Sequence, residues 1–254
     1  MSRALRSVLV LLLATSVLVV VPGEVDATVP GAIGRIAFVS NADQSSGEIY
    51  LRDFAGSTPI RLTNNTEFDR SPMWSPDGTQ IAFSRGPGMG PDNLFVMDSD
   101  GENQINLTSG VGTVNTVLDW SPDGTRILFG SNRGGGNVDL WVIRPDGSDP
   151  QQLTATPAFE EVSASWSPDG SSIVYERASS IWLMDADGSN QRSLLARAES
   201  DGDPAWSPDG SKIAFTSYES GIDNVWIMNA DGSLPYSLTN AIGWESYQPA
   251  WAPD

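Results

Sequence analysis

The 254-residue sequence contains no cysteine and no histidine. Without cysteine there are no disulfides, thiol nucleophiles or Cys-ligated metals. Without histidine the commonest general base and the commonest transition-metal ligand are missing, which excludes Ser-His-Asp catalysis and His-bound zinc. Lysine occurs once, at Lys212. Positive charge is scarce as a whole: 14 Lys+Arg face 32 Asp+Glu, a net charge of −18. A surface this acidic repels phosphate backbones and anionic headgroups, so neither nucleic acid nor an anionic membrane surface is an expected partner. Carboxylates, tyrosines, arginines and the single lysine remain for any chemistry. With 39% hydrophobic and 18% charged residues a packed core is within reach.

Long apolar runs are also scarce. One stands at Val8–Val21, after Arg3 and Arg6, and is ended by Pro22-Gly23. It falls short of the ~20 residues that span a bilayer as a helix. With the small residue Ala27 closing Val25-Asp26-Ala27, residues 1–27 read as a cleaved export signal. Residues 28–254 then form the folded domain, periplasmic or secreted, with no stable membrane insertion after cleavage.

Beyond residue 27 the sequence has no sustained helical periodicity. Instead the pentapeptide Trp-Ser-Pro-Asp-Gly starts at Trp74, Trp120, Trp166 and Trp206, and Trp-Ala-Pro-Asp starts at Trp251. Each complete copy is followed by a short β-rich run (Ile81–Phe83, Ile127–Phe129, Ile173–Tyr175, Ile213–Phe215) and then a second (Leu94–Met97, Leu140–Ile143, Ile181–Met184, Val225–Met228). An Asp-Gly turn comes next, at Asp100, Asp146, Asp187 and Asp231, and a third run ending in Leu-Thr, or Leu194-Leu195 in one repeat. β-branched and aromatic runs separated by Gly, Pro and Asp turns are strands. Four strands in a 40–46-residue period are one propeller blade, so the expected fold is all-β.

The pattern W-S-P-D-G-x-x-I-A-F, then I-W-x-M-D-x-D-G, then L-T resembles the propeller repeat of the TolB family over nearly all of 31–254. The resemblance implies a platform for protein interaction. TolB-type proteins carry an α/β domain before the propeller that this sequence does not match, so the family's partners do not transfer.

Residues 34–63 supply three strands of a blade and Tyr247–Trp251 supply one. Five four-stranded blades, closed by pairing the last strand with the first blade, are therefore expected. The alternative is part of a six-bladed propeller. Five residues before each Trp stand Asp69, Asn115, Glu161, Asp201 and Ser246, which repeat symmetry places around the channel mouth. Phe68, Phe159, Trp244 and Tyr247 add aromatic surface there, and Trp244 lies outside the repeat positions. Such a mouth suits a cationic or sugar-like ligand or a partner's peptide. Asp98-Ser99-Asp100-Gly101 and Asp185-Ala186-Asp187-Gly188 echo a calcium loop, but they lack its remaining ligands and sit at hairpin turns. No metal, cofactor or catalytic residue is expected. The leading reading is an exported, monomeric, non-enzymatic module that binds a protein or peptide. The alternative is a carboxylate-dependent glycan-binding or glycan-hydrolysing propeller, with Asp69, Glu161 and Asp201 as its acids.

Overall fold

The computed structural model describes residues 34–251 apart from 42–45, 54–56, 89–91, 111–113, 196–198, 220 and 240–244. The export signal expected at 1–27 and the aromatic residue Trp244 lie outside the described residues. Five antiparallel sheets follow one another along the chain. The first holds β1 (Arg35–Ser40), β2 (Glu48–Asp53) and β3 (Ile60–Arg61). The second holds β4 (Phe68–Trp74), β5 (Gln80–Gly86), β6 (Asn93–Asp98) and β7 (Ile105–Asn106). The third holds β8 (Asn115–Trp120), β9 (Ile127–Ser131), β10 (Asp139–Ile143) and β11 (Gln151–Gln152). The fourth holds β12 (Glu161–Trp166), β13 (Ser172–Arg177), β14 (Ser180–Asp185) and β15 (Arg192–Ser193). The fifth holds β16 (Ser200–Trp206), β17 (Lys212–Glu219), β18 (Ile222–Asn229) and β19 (Tyr236–Ser237). This is the all-β propeller architecture that the repeat predicts. The first sheet has three strands where the other four have four.

Strands β4, β8, β12 and β16, which end at the repeated Trp, touch one another in succession and form the inner wall. Each carries a bulge shortly before its Trp. The extra residue increases local twist and bends the strand. The bulge puts Ser71 and Asp203 at φ values of 50° and 49°, three residues before their Trp.

Every Trp-Ser-Pro-Asp-Gly copy closes the hairpin in the same way. In the first, the Ser75 hydroxyl donates to Asp77 Oδ1 at 2.6 Å, and the Thr79 and Gln80 amides donate to Asp77 Oδ1 and Ser75 Oγ. Gly78 takes φ 68°. The same Ser–Asp pair recurs at Ser121–Asp123, Ser167–Asp169 and Ser207–Asp209, each at 2.6 Å. These bonds hold the four aspartates below the usual carboxylate range, Asp209 at about 2, with the Ser hydroxyl as the largest cause. The Asp-Gly hairpins lie at the same end, because the Ser99 amide reaches the Thr79 carbonyl and the Ala186 amide the Ser171 carbonyl.

The core lies between the sheets. One cluster joins Leu94, Val96 and Leu107 of the second sheet to Trp120, Ile127 and Phe129 of the third. Equivalent clusters lie at the other three junctions. The Leu-Thr dipeptides that end four of the five sheets have a reason beyond packing. The buried hydroxyls of Thr63, Thr108 and Thr154 accept the amides of Ile49, Leu94 and Leu140 at 2.8–2.9 Å.

Asp119, at the bulge before Trp120, ties the third sheet to the fourth. Its carboxylate accepts the amides of Trp120 and Trp166, both at 2.8 Å. Burial outweighs these hydrogen bonds and pushes its pKa up to about 6. The raised folded-state value means the folded protein takes up a proton as pH falls from 7 towards 5. Stability is therefore gained on acidification through pH 6 and lost as pH rises through it. Asp119→Asn is expected to remove a gain on the order of 1 kcal/mol between pH 7 and pH 5, read from urea unfolding at the two pH values. An unchanged pH dependence in the variant would refute the assignment.

Candidate functional site

Each inner strand begins at the end opposite the Trp-Ser-Pro-Asp-Gly turns, and Asp69, Asn115, Glu161 and Asp201 stand at or beside those starts. Their side chains do not form an open rim. Asp69, Asn115 and Glu161 are fully buried and Asp201 is 2% exposed. Cross-strand register sets their partners: Asp69 faces Arg85, Asn115 faces Ser131, Glu161 faces Arg177 and Asp201 faces Ser217. Arg85 donates to both oxygens of Asp69, at 2.6 and 3.0 Å, and Asn65 Nδ2 donates to Oδ2 at 2.9 Å. Arg177 Nε and the Thr156 hydroxyl each donate to Glu161 Oε1 at 2.6 Å, and the Thr154 hydroxyl donates to Oε2 at 2.9 Å. Asn115 accepts the Ser131 hydroxyl at 2.6 Å and donates to the Asp92 carbonyl. Both arginines stack between two rings, Arg85 over Phe83 and Phe95 and Arg177 over Tyr175 and Trp182. Burial of an ion pair is tolerable where every lone pair is met, and here the repeat supplies the donors.

The aromatic residues separate. Phe68 is half-buried with the Arg70 guanidinium 5.2 Å from its ring centroid. Phe159 is 48% exposed, and its carbonyl accepts Asn137 Nδ2 and the Thr156 hydroxyl. Tyr247 is 59% exposed. Ser246 is half-buried, its amide bonded to the Asp223 carbonyl at 2.8 Å.

Tyr247 does line an open cavity of about 350 Å³, together with Tyr218, Asp203, Asp223 and Glu176. Ser200, Gly202 and Thr216 complete its wall. Three sheet-borne carboxylates therefore meet two tyrosines between the last full blade and the segment 245–251. Asp203 Oδ1 accepts the Ser163 hydroxyl at 3.1 Å and Oδ2 accepts the Thr216 hydroxyl at 3.5 Å. Burial first, and then the charge of Asp203, hold the Glu176 carboxyl above the usual carboxylate range. Gly202 makes the space. A Cβ there would stand 2.5 Å from Glu176 Oε2, and the equivalent positions of the preceding repeats carry Arg70, Thr116 and Val162. Sequence reasoning included Tyr247. It missed Glu176 and Asp223, which sit on outer strands. The signal for Glu176 was the glycine at 202.

The two calcium-like turns are hairpins whose aspartates are occupied within the turn. Asp98 Oδ2 accepts Asn103 Nδ2 and Asp185 Oδ2 accepts Asn190 Nδ2, both at 2.6 Å. Among the described residues no cluster of three or more acids has the geometry to hold a metal ion.

The profile of the TolB beta propeller domain matches residues 31–254. The chain belongs to the TolB beta-propeller family. A stretch of 80 residues is 40% identical to the Tol-Pal system protein TolB of Desulfosudis oleivorans, covering 32% of this chain and 16% of that protein. The chain thus spans a small part of the curated relative's length. The crystal structure of TolB from Acinetobacter baumannii superposes with a TM-score of 0.68 at 24% identity, over 87% of this chain and 55% of that one. An oligogalacturonate lyase in complex with manganese has the same fold, with a TM-score of 0.59 and 17% identity over 80% of this chain and 61% of that one.

The two kinds of residue at this end separate by substitution. Glu161→Ala is expected to cost about 3–5 kcal/mol by leaving Arg177 buried without its carboxylate. Tyr247→Ala is expected to stay within about 0.5 kcal/mol, as for an exposed side chain. Chemical denaturation of both variants tests this. Equal losses would place Tyr247 in the structural frame.

Proposed function

We propose that this protein is an exported, non-enzymatic TolB-like propeller that binds a protein or peptide partner, and that the Glu176–Asp203–Asp223 cavity receives a basic side chain of that partner. The observation that carries the reading is the cavity itself. Its three half-buried carboxylates form no ion pair with an arginine or lysine among the described residues, whereas Asp69 and Glu161 spend theirs on arginines of the same sheet. Tyr218 and Tyr247 at its edge offer rigid aromatic surface of the kind enriched at interfaces. A lysine or arginine entering between them gains ionic contacts and a ring face together. Membership of the TolB family supports a protein partner and an extracytoplasmic setting, and the apolar run at Val8–Val21 supports export. The net charge of −18 favours fast encounter with basic surfaces.

The glycan-hydrolase reading needs free carboxylates at Asp69, Glu161 and Asp201. Burial of these three and the Arg pairing of Asp69 and Glu161 leave it without a supporting observation in this chain.

The test is a screen of immobilised peptides bearing Lys or Arg beside an apolar residue. The best binder is expected to weaken about tenfold or more with Asp203→Asn combined with Asp223→Asn. A similar loss is expected with Gly202→Val, and weakening again as salt is raised. Binding is expected to weaken as pH falls towards the raised Glu176 value, because protonation removes one charge from the cavity. A binder indifferent to salt and to all three substitutions would overturn the placement.

A further inference from the structure

In three successive sheets an arginine lies over a cross-strand pair of rings, and in the middle sheet it has no carboxylate. Phe83 faces Phe95 in the second sheet, Phe129 faces Trp141 in the third and Tyr175 faces Trp182 in the fourth. The guanidinium carbon of Arg85 is 5.1 and 4.7 Å from the centroids of its two rings, and that of Arg177 is 5.1 and 4.7 Å from its own. Arg133 stands 5.2 Å from both rings of the middle pair. It arrives by a different route. Ser131 holds the sheet position of Arg85 and Arg177 and faces Asn115, and Arg133 reaches back to the rings from the loop after β9.

The groups that satisfy the other two arginines are replaced in this blade. Arg85 donates to Asp69 and, at 2.9 Å, to Gln104 Oε1. Arg177 donates to Glu161 and, at 2.9 Å, to Gln191 Oε1. The corresponding residues of the third repeat are Asn115 and Pro150. Asn115 is uncharged, and its side chain is bonded to the Ser131 hydroxyl and the Asp92 carbonyl. Proline has no side-chain acceptor. Asp139, opposite Ser131 on β10, accepts from Gln152 Nε2 and the Thr156 amide. Among the described residues the Arg133 guanidinium has no ion pair and no hydrogen bond, and its Nε is buried. A guanidinium holds five N–H donors in one plane, and a buried donor without an acceptor is destabilising. The surroundings leave room for an acceptor. Gly134, Gly135 and Gly136 are exposed, and a Cβ on Gly135 or Gly136 would meet nothing within 4 Å.

We infer that Arg133 is a binding point for a carboxylate of a bound peptide, which takes the place that Asp69 and Glu161 fill in the blades on either side. The planar fork donates two parallel bonds to such a group, and the rings of Phe129 and Trp141 fix its plane. With a net charge of −18 the chain repels anions at long range, so this contact selects a carboxylate held in place by other contacts rather than gathering free anions. The site lies on a different blade from the Glu176–Asp203–Asp223 cavity and has the opposite sign. It stands whatever that cavity takes.

The test uses the full chain with isotope-labelled arginine and tryptophan. It follows the Nε–H resonance of Arg133 and the indole resonance of Trp141. Acetyl-glutamate amide supplies a side-chain carboxylate and acetyl-glycine a terminal one. Acetyl-glutamine amide and inorganic phosphate are the controls, all at one ionic strength. A saturable shift of both resonances is expected with a carboxylate, and binding about tenfold weaker or more with acetyl-glutamine amide. The stronger of the two carboxylates identifies the source. Arg133→Lys keeps the charge but loses the fork, and the Trp141 resonance is expected to report binding weakened several-fold. Asn115→Asp supplies the carboxylate from within and is expected to weaken binding about tenfold. Should that variant fail to fold, Pro150→Gln, which restores the second acceptor, is expected to weaken binding in the same direction. No saturable shift with either carboxylate, a response to phosphate as strong as to carboxylate, or binding unchanged by these substitutions would overturn the inference.

Discussion

The apolar wedge between successive sheets is the constraint on which the rest depends. A single four-stranded sheet has two faces and no core of its own. Each buries its faces only by stacking on its neighbours. The repeated Trp and the Ile-x-Phe run on the adjacent strand supply that stack, and every apolar cluster among the described residues draws on two consecutive blades. Once this spacing is set, the inner strands converge, the Leu-Thr ends fall against the next Asp-Gly turn, and small residues become necessary there. At Gly101 and Gly188 a Cβ would come within 2.7 and 2.8 Å of the carbonyl oxygens of Leu62 and Leu153 in the preceding blade. The Asp-Gly turn is thus a docking surface between blades as well as a reversal of the chain.

The blades were legible because the repeat encodes local and long-range structure in the same residues. Trp-Ser-Pro-Asp-Gly announces a turn by its Pro and Gly, and its Ser and Asp then satisfy that turn's amides. The Leu-Thr dipeptide reads as a strand end, but its reason is a hydroxyl that accepts a buried amide across the blade, which no short-range rule reveals. The candidate site was legible in part. Position five before Trp does mark the start of each inner strand. Its side chain is buried whether Arg or Ser stands opposite it on the adjacent strand. Arg85 and Arg177 turn Asp69 and Glu161 inward. The sequence contains those arginines, but the cross-strand register that makes them partners becomes visible once the sheets are paired.

Open carboxylates arise where the repeat departs from itself. The interval from Trp166 to Trp206 is 40 residues, the shortest between successive copies. Within it the inner strand carries Gly202 where Val162 stood one blade earlier, and Asp203 where Ser163 stood. The glycine admits Glu176 from the preceding blade, and the aspartate adds a second negative charge beside it. Two like charges at one place raise the cost of ionising either. A fold under selection for stability alone gains nothing from that arrangement, whereas the Asp69 and Glu161 sites show how readily the same scaffold neutralises an acid. On the binding role proposed above, that cost is offset when the partner's basic side chain enters.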